Sequence, residues 1–238
     1  MKKVQLAGLL ISAALSSPTF AAENNSGWTG EAELGFVSTS GNTETSTFSG
    51  KAKVENDRAT WHHTATLELL RAETSGTKSA GRYLITGQSD YKISDLAYAF
   101  GRLSYQDDSF SGFEYQANAA LGAGYHAIKS ETLTLDLEAG PGLRLSKLDD
   151  ADDSDSEMTL YLSGLLDWKL STTTNFTQEL TSEVGEDLTI TKSVTGLKSQ
   201  VAGNLAMKVT YTIKHTSEVP DDVEEMDTET AVTLVYSF

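Results

Sequence analysis

The chain ends on E-T-A-V-T-L-V-Y-S-F, Glu229 to Phe238, and this stretch restricts the fold more than any other. Thr230, Val232, Leu234, Tyr236 and Phe238 share one face, while Glu229, Ala231, Thr233, Val235 and Ser237 share the other, which is the two-residue period of a β-strand. One face is greasy and the other mostly small or polar. Left uncovered in water, a strand that closes the polypeptide in this way is an edge that invites aggregation. In a closed transmembrane barrel it pairs with the first strand, its outer face meets lipid, and its final aromatics sit in the interfacial girdle.

The opposite end of the chain bears on the compartment. Lys2 and Lys3, the short apolar run Val4 to Leu15 and the small residues up to Ala22 have the layout of a secretory signal peptide. Residues 1–22 are therefore expected to be a cleaved leader and 23–238 a single barrel domain. The apolar run is too short to span a bilayer. No Cys is present, so neither disulfides nor thiolate metal sites are available. With 34 acids against 18 bases the formal charge is −16, and loss of the leader, which holds two Lys and no acid, makes it more negative. Such a chain does not seek nucleic acid or anionic lipid by bulk electrostatics. A negative mean hydropathy suits a membrane location only where apolar residues alternate with polar ones.

That alternation recurs. Twelve strands are expected: Trp28 to Ser38, Thr43 to Glu55, Thr60 to Arg71, Arg82 to Tyr91, Leu96 to Gln106, Phe113 to Tyr125, Thr132 to Arg144, Met158 to Leu170, Asn175 to Val184, Leu188 to Val201, Leu205 to Ser217 and Glu229 to Phe238. In the sixth, Phe113, Tyr115, Ala117, Ala119, Leu121, Ala123 and Tyr125 point one way. The fifth offers two faces. Ala97, Ala99, Leu103 and Tyr105 are assigned outward, because Arg102 at mid-membrane on the lipid face would cost roughly 2–4 kcal/mol. The tenth is the least regular, since Lys192 and Lys198 share a face with Ile190 and Val194. Connections after even strands are short. Those after odd strands, such as the polar Ala72 to Gly81, are mostly longer, the asymmetry of periplasmic turns and extracellular loops. The fold class expected is all-β, an antiparallel transmembrane barrel of about twelve strands.

Several stretches resemble the salt-induced outer-membrane protein family, often called YdiY-like. They are Ser38 to Ser46, Phe100 to Tyr115, Gly122 to Tyr125, Glu138 to Arg144, His215 to Pro220 and Thr233 to Phe238. The resemblance implies an outer-membrane barrel without an assigned reaction and brings no catalytic residues. It also implies that Tyr236 and Phe238 form the assembly signal read by the barrel-assembly machinery, with periplasmic chaperones, outer-membrane lipid and lipopolysaccharide as further partners. The chain departs from the family at Ser109 and Gln116, where members often carry a basic residue.

Other constellations bear on chemistry. The acidic loop from Asp149 to Glu157 lacks the spacing of an EF-hand and reads as a solvated outside loop, with loose divalent bridging as the alternative. No cofactor or metal is called for. His62 and Glu68 lie about 20 Å apart along a strand, too far to share an ion. His215 and Ser217 are the one pair worth testing for a hydrolase. Gly140-Pro141-Gly142 is expected to mark a bulge or the outer end of its strand. The lumen charge candidates are Glu33, Glu114, Asp136, Glu138, Glu179, Arg102 and Arg144, within a wider inward set that includes Glu31, Glu55, Glu68, Asp167, Glu183, Glu229, Lys51, Lys53, Lys169, Lys208 and Lys214. Such an interior suits a watery passage or a salt-bridged plug, and twelve strands sit between filled eight-stranded barrels and open porins. The functional expectation is a monomeric, non-enzymatic pore or structural envelope barrel, biased towards cations and tied by the resemblance to salt or osmotic stress. The alternative is an outer-membrane hydrolase.

Overall fold

The structure, a computed structural model, describes residues 27–40, 45–74, 77–108, 111–148, 153–219 and 223–238. The expected leader, Gly41 and Asn42 of the first turn, Ser109, Phe110, and Asp149, Asp150 and Asp152 of the acidic loop lie outside the described residues.

Period-two alternation becomes twelve strands: β1 (Trp28–Ser40), β2 (Thr45–Asp57), β3 (Trp61–Thr74), β4 (Thr77–Lys92), β5 (Ala97–Asp108), β6 (Phe113–Lys129), β7 (Leu133–Leu148), β8 (Asp155–Lys169), β9 (Thr174–Val184), β10 (Thr189–Ala202), β11 (Leu205–Thr216) and β12 (Met226–Ser237). Each pairs antiparallel with its sequence neighbours, and β12 pairs with β1 to close the barrel. Closure leaves no edge, so the backbone polar groups of the wall are satisfied within it. The last residue takes part. Phe238 N donates to Gly30 O at 2.9 Å and Gly30 N to Phe238 O at 2.8 Å. The Phe238 ring lies over Gly30, in space that a Cβ there would occupy.

The exterior is apolar at mid-height, with Leu34, Leu67, Ile85, Leu103, Leu121, Leu160, Leu180, Leu197, Val209 and Leu234 all exposed. So much contiguous apolar surface is untenable in water and normal against hydrocarbon. Aromatic rings border it. Trp61 packs on Tyr91 near the end that holds the termini, and Tyr83, Tyr105 and Tyr115 stack across β4, β5 and β6 near the other.

Four local expectations need correction or completion. Much of Ala72 to Gly81 is strand and not loop, because β3 runs on to Thr74 and β4 begins at Thr77, with a register shift between Ala72 and Glu73. Beyond the apolar belt a ladder carries polar residues on both faces at no cost, so polarity there does not signal a loop. Pro141 neither bulges nor ends its strand. It sits inside β7 paired with Leu160, and the missing N–H shows as a gap in the β6 ladder between the Ala120–Gly142 and Ala123–Ala139 pairs, with the register kept. Phe113 is buried and not lipid-facing, since a register shift between Phe113 and Tyr115 breaks the alternation at the start of β6. In β10 the two-lysine face is the inner one, while Thr191, Ser193, Thr195 and Leu197 face out.

β5 shows why its register is unambiguous in three dimensions. Tyr98 and Phe100 point inward and are buried, directly opposite Gly124 and Gly122 of β6. Their rings fill the space a Cβ at either glycine would need. Leu103 and Tyr105 therefore face out and Arg102 faces in, as expected.

Candidate functional site: the charged lumen

The inner face follows from the alternation, and some of its charges are paired along the wall while others meet between strands that are not neighbours. On one side, Lys198 of β10 meets Glu31 of β1 at 2.6 Å and Lys208 of β11 meets Glu33 at 2.9 Å. Glu33 is buried, and its second oxygen accepts from Thr233 Oγ1 at 3.2 Å. Lys51 pairs with Glu68 at 2.7 Å and Lys53 with Glu55 at 2.8 Å. Arg82 reaches from β4 to Glu229 of β12 at 2.8 Å.

The opposite wall, over β4 to β8, is different. Glu138 Oε1 accepts from Tyr98 OH at 2.9 Å and from Gln88 Nε2 at 2.7 Å, and the same amide donates to Asp90 Oδ1 at 3.0 Å. Arg102 has Nη1 at 3.4 Å from Gln88 Oε1 and its guanidinium 5.6 Å from the Tyr161 ring centre, and it interacts electrostatically with Glu138. Asp136 meets His126 Nδ1 at 2.6 Å. Asp167 accepts from Asn175 Nδ2 at 2.8 Å. The hydrogen bonds described here for Glu138, Asp90 and Asp167 come from neutral donors.

Of the remaining candidates, Glu179 faces inward opposite Leu165 and Val194, and interacts electrostatically with Lys51 across the lumen. Leu165, also on the inner face, is 39% exposed, so open space adjoins it at this height of the lumen. Arg144 has no exposed surface. Nη1 donates to Glu157 Oε1 and to Leu188 O, and Nη2 donates to Glu183 O, each at 2.8 to 2.9 Å. It pins the β9–β10 hairpin to β7 and β8. Glu114 does not sit at mid-strand. As the second residue of β6, beside the register shift, its half-exposed side chain pairs with Lys147 at 2.6 Å near the rim.

Sequence reasoning passed over Arg82, Asp90, Tyr98, Lys192 and Lys198. Arg82, Asp90, Tyr98 and Lys198 each stand next to an apolar or aromatic outward residue, which was the signal available, whereas Lys192 lies between Thr191 and Ser193 and had none. The hydrolase pair is not assembled. Ser217 Oγ accepts from Thr189 N at 2.9 Å, and His215 Nε2 lies 3.8 Å from Glu225. His62 meets Asp57 at 3.3 Å, while His63 faces out beside Ser89 at 2.9 Å. Among the described residues no group of three His, Asp or Glu is arranged to hold a metal ion.

A closed antiparallel barrel, apolar outside and charged within, is a porin-like transmembrane β-barrel. Residues 32–238 match the family described as protein of unknown function DUF481, and the chain belongs to that family. It is 28% identical over 214 residues to the uncharacterized protein YdiY of Escherichia coli (strain K12), covering 87% of this chain and 82% of that one. Among solved structures it is similar to the NanC porin, with a TM-score of 0.59 at 9% identity, over 86% of this chain and 98% of that chain. It is also similar to the KdgM porin (0.51 at 12%, over 87% and 99%) and to the translocator domain of the autotransporter NalP from Neisseria meningitidis (0.53 at 13%, over 91% and 90%). At these identities the likeness is one of fold.

Proposed function

We propose that the protein is a small outer-membrane pore whose lumen favours cations. The observation that carries this reading is the wall of β4 to β8, where Asp90, Glu138 and Asp167 face the lumen on neutral donors while Arg102 is engaged with Gln88 and Tyr161. Carboxylates on a low-dielectric wall draw cations and repel anions. Open space beside the inward Leu165 supports an unfilled interior. The fold shared with the NanC and KdgM porins agrees with a passage. The same proposal has the chain exported on a cleaved leader, inserted by the assembly machinery through Tyr236 and Phe238, monomeric among lipopolysaccharide and lipid, and without an enzymatic reaction. The salt or osmotic role suggested by the family resemblance belongs to it too, and expression rising with external osmolarity would support that part.

The test is neutralisation of the wall. The variant Asp90→Asn with Glu138→Gln keeps shape and hydrogen-bonding size while removing two charges. Its cation preference in a planar bilayer should fall well below that of the parent. A preference equal to the parent's would remove this wall as the source of selectivity.

A further inference from the structure

The half of the lumen away from the termini is crossed by a charged bridge. Arg82 Nη2 of β4 donates to Glu229 Oε2 of β12 at 2.8 Å, and the two side chains are 26% and 18% exposed. In the closed strand order β1, β2 and β3 stand between β12 and β4. The pair is therefore a chord through the lumen and not a neighbour contact along the wall. Further charges gather on it. Glu68 of β3 interacts electrostatically with both Arg82 and Lys192 of β10. Lys214 of β11 interacts with Asp108 of β5, Asp227, Arg82 and Lys192. Lys214 pairs with Lys192 across β10 and β11 and with Asp227, two residues from Glu229, across β11 and β12, so these residues share the height of the chord, where the cross-section available to a solute is what they leave.

We propose that the Arg82–Glu229 bridge, with Lys192 and Lys214 beside it, is the constriction that sets the size limit of the pore. This inference rests on the pore reading. Small ions pass beside the bridge, and larger neutral solutes are stopped by it. Replacing both partners with a short residue widens the opening without leaving a lone charge in the lumen, whereas exchanging them rebuilds the chord with its polarity reversed.

The experiment compares the parent, Arg82→Ser with Glu229→Ser, and Arg82→Glu with Glu229→Arg, each confirmed as folded by heat-modifiable migration. The readouts are single-channel conductance and swelling of proteoliposomes in neutral sugars of increasing size. The double serine variant should conduct severalfold more than the parent and admit larger sugars, and the exchanged pair should return towards the parent. A conducting parent whose size limit is unchanged in the double serine variant overturns the constriction and leaves the pore reading standing. Silence in the parent with current in the double serine variant supports the bridge as the obstruction and overturns a steadily open pore. Silence in both overturns the pore reading and the constriction with it. Should the double serine variant fail to fold, Glu229→Gln replaces it, with a smaller rise expected and no rise counting against the bridge.

Discussion

Arg144 is the residue whose loss should be felt most. Its guanidinium has no exposed surface and joins β7 to Glu157, to the backbone of Glu183 and to Leu188 in the β9–β10 hairpin. Nε, 3.8 Å from Glu183 Oε2, is too far to hydrogen-bond. Arg144→Met keeps length and volume but leaves Glu157 without its cation and takes a side-chain donor from the carbonyls of Glu183 and Leu188. The expected cost is about 3–5 kcal/mol, read as a lower denaturation midpoint in detergent. A midpoint equal to the parent's would contradict the role given to this side chain. That Arg144 faces inward was legible from its place in β7, opposite the outward Leu143. Glu157 is its cross-strand neighbour in β8, but Leu188 and Glu183 lie about forty residues on in the β9–β10 hairpin, and no local pattern reveals contacts with their carbonyls. Glu114 and Phe113 were misassigned for a related reason: alternation carries no warning of a register shift, and a single one moves every residue beyond it.

At the scale of elements, β1 and β12 close the structure, and the closing pair runs to the last residue. Phe238 contributes both hydrogen bonds to Gly30 and a ring that lies on Gly30 and stacks with Tyr236 at 6.3 Å. Deleting Phe238 should lower the folded amount in the membrane while export continues, and Gly30→Leu, which displaces the same ring, should act in the same direction. The measurement is the ratio of heat-modifiable to unfolded protein in envelope fractions. Unchanged ratios in both would count against a role for this contact in assembly. The strands themselves were largely readable. β6 from Tyr115 to Tyr125 and β12 from Val232 to Tyr236 turn apolar faces outward, as a lipid-facing strand does. β10 was hard to read because its inner lysines are held by acids elsewhere, Lys198 by Glu31 of β1, a pairing that no local pattern reveals. The Gly140-Pro141-Gly142 run misled for the opposite reason. A proline costs a ladder one donor, and here a gap towards β6 absorbs the loss without breaking the strand.

For the whole molecule, the sequence could assign charges to the inner face but could not tell a passage from a plug. That depends on which strands stand opposite one another. Closure puts β4 across from β12, and β10 within reach of β1, so much of the charge forms chords. It also leaves Asp90, Glu138 and Asp167 on the β4 to β8 wall, hydrogen-bonded by neutral donors. The account therefore stands on the sign of the selectivity, and the direct measurement is the reversal potential of the purified barrel in a planar bilayer under a salt gradient. The predicted result is a cation preference that weakens as salt rises and the screening length falls from about 30 Å at 0.01 M to about 3 Å at 1 M. An anion preference, or the absence of any current from folded protein, would contradict it.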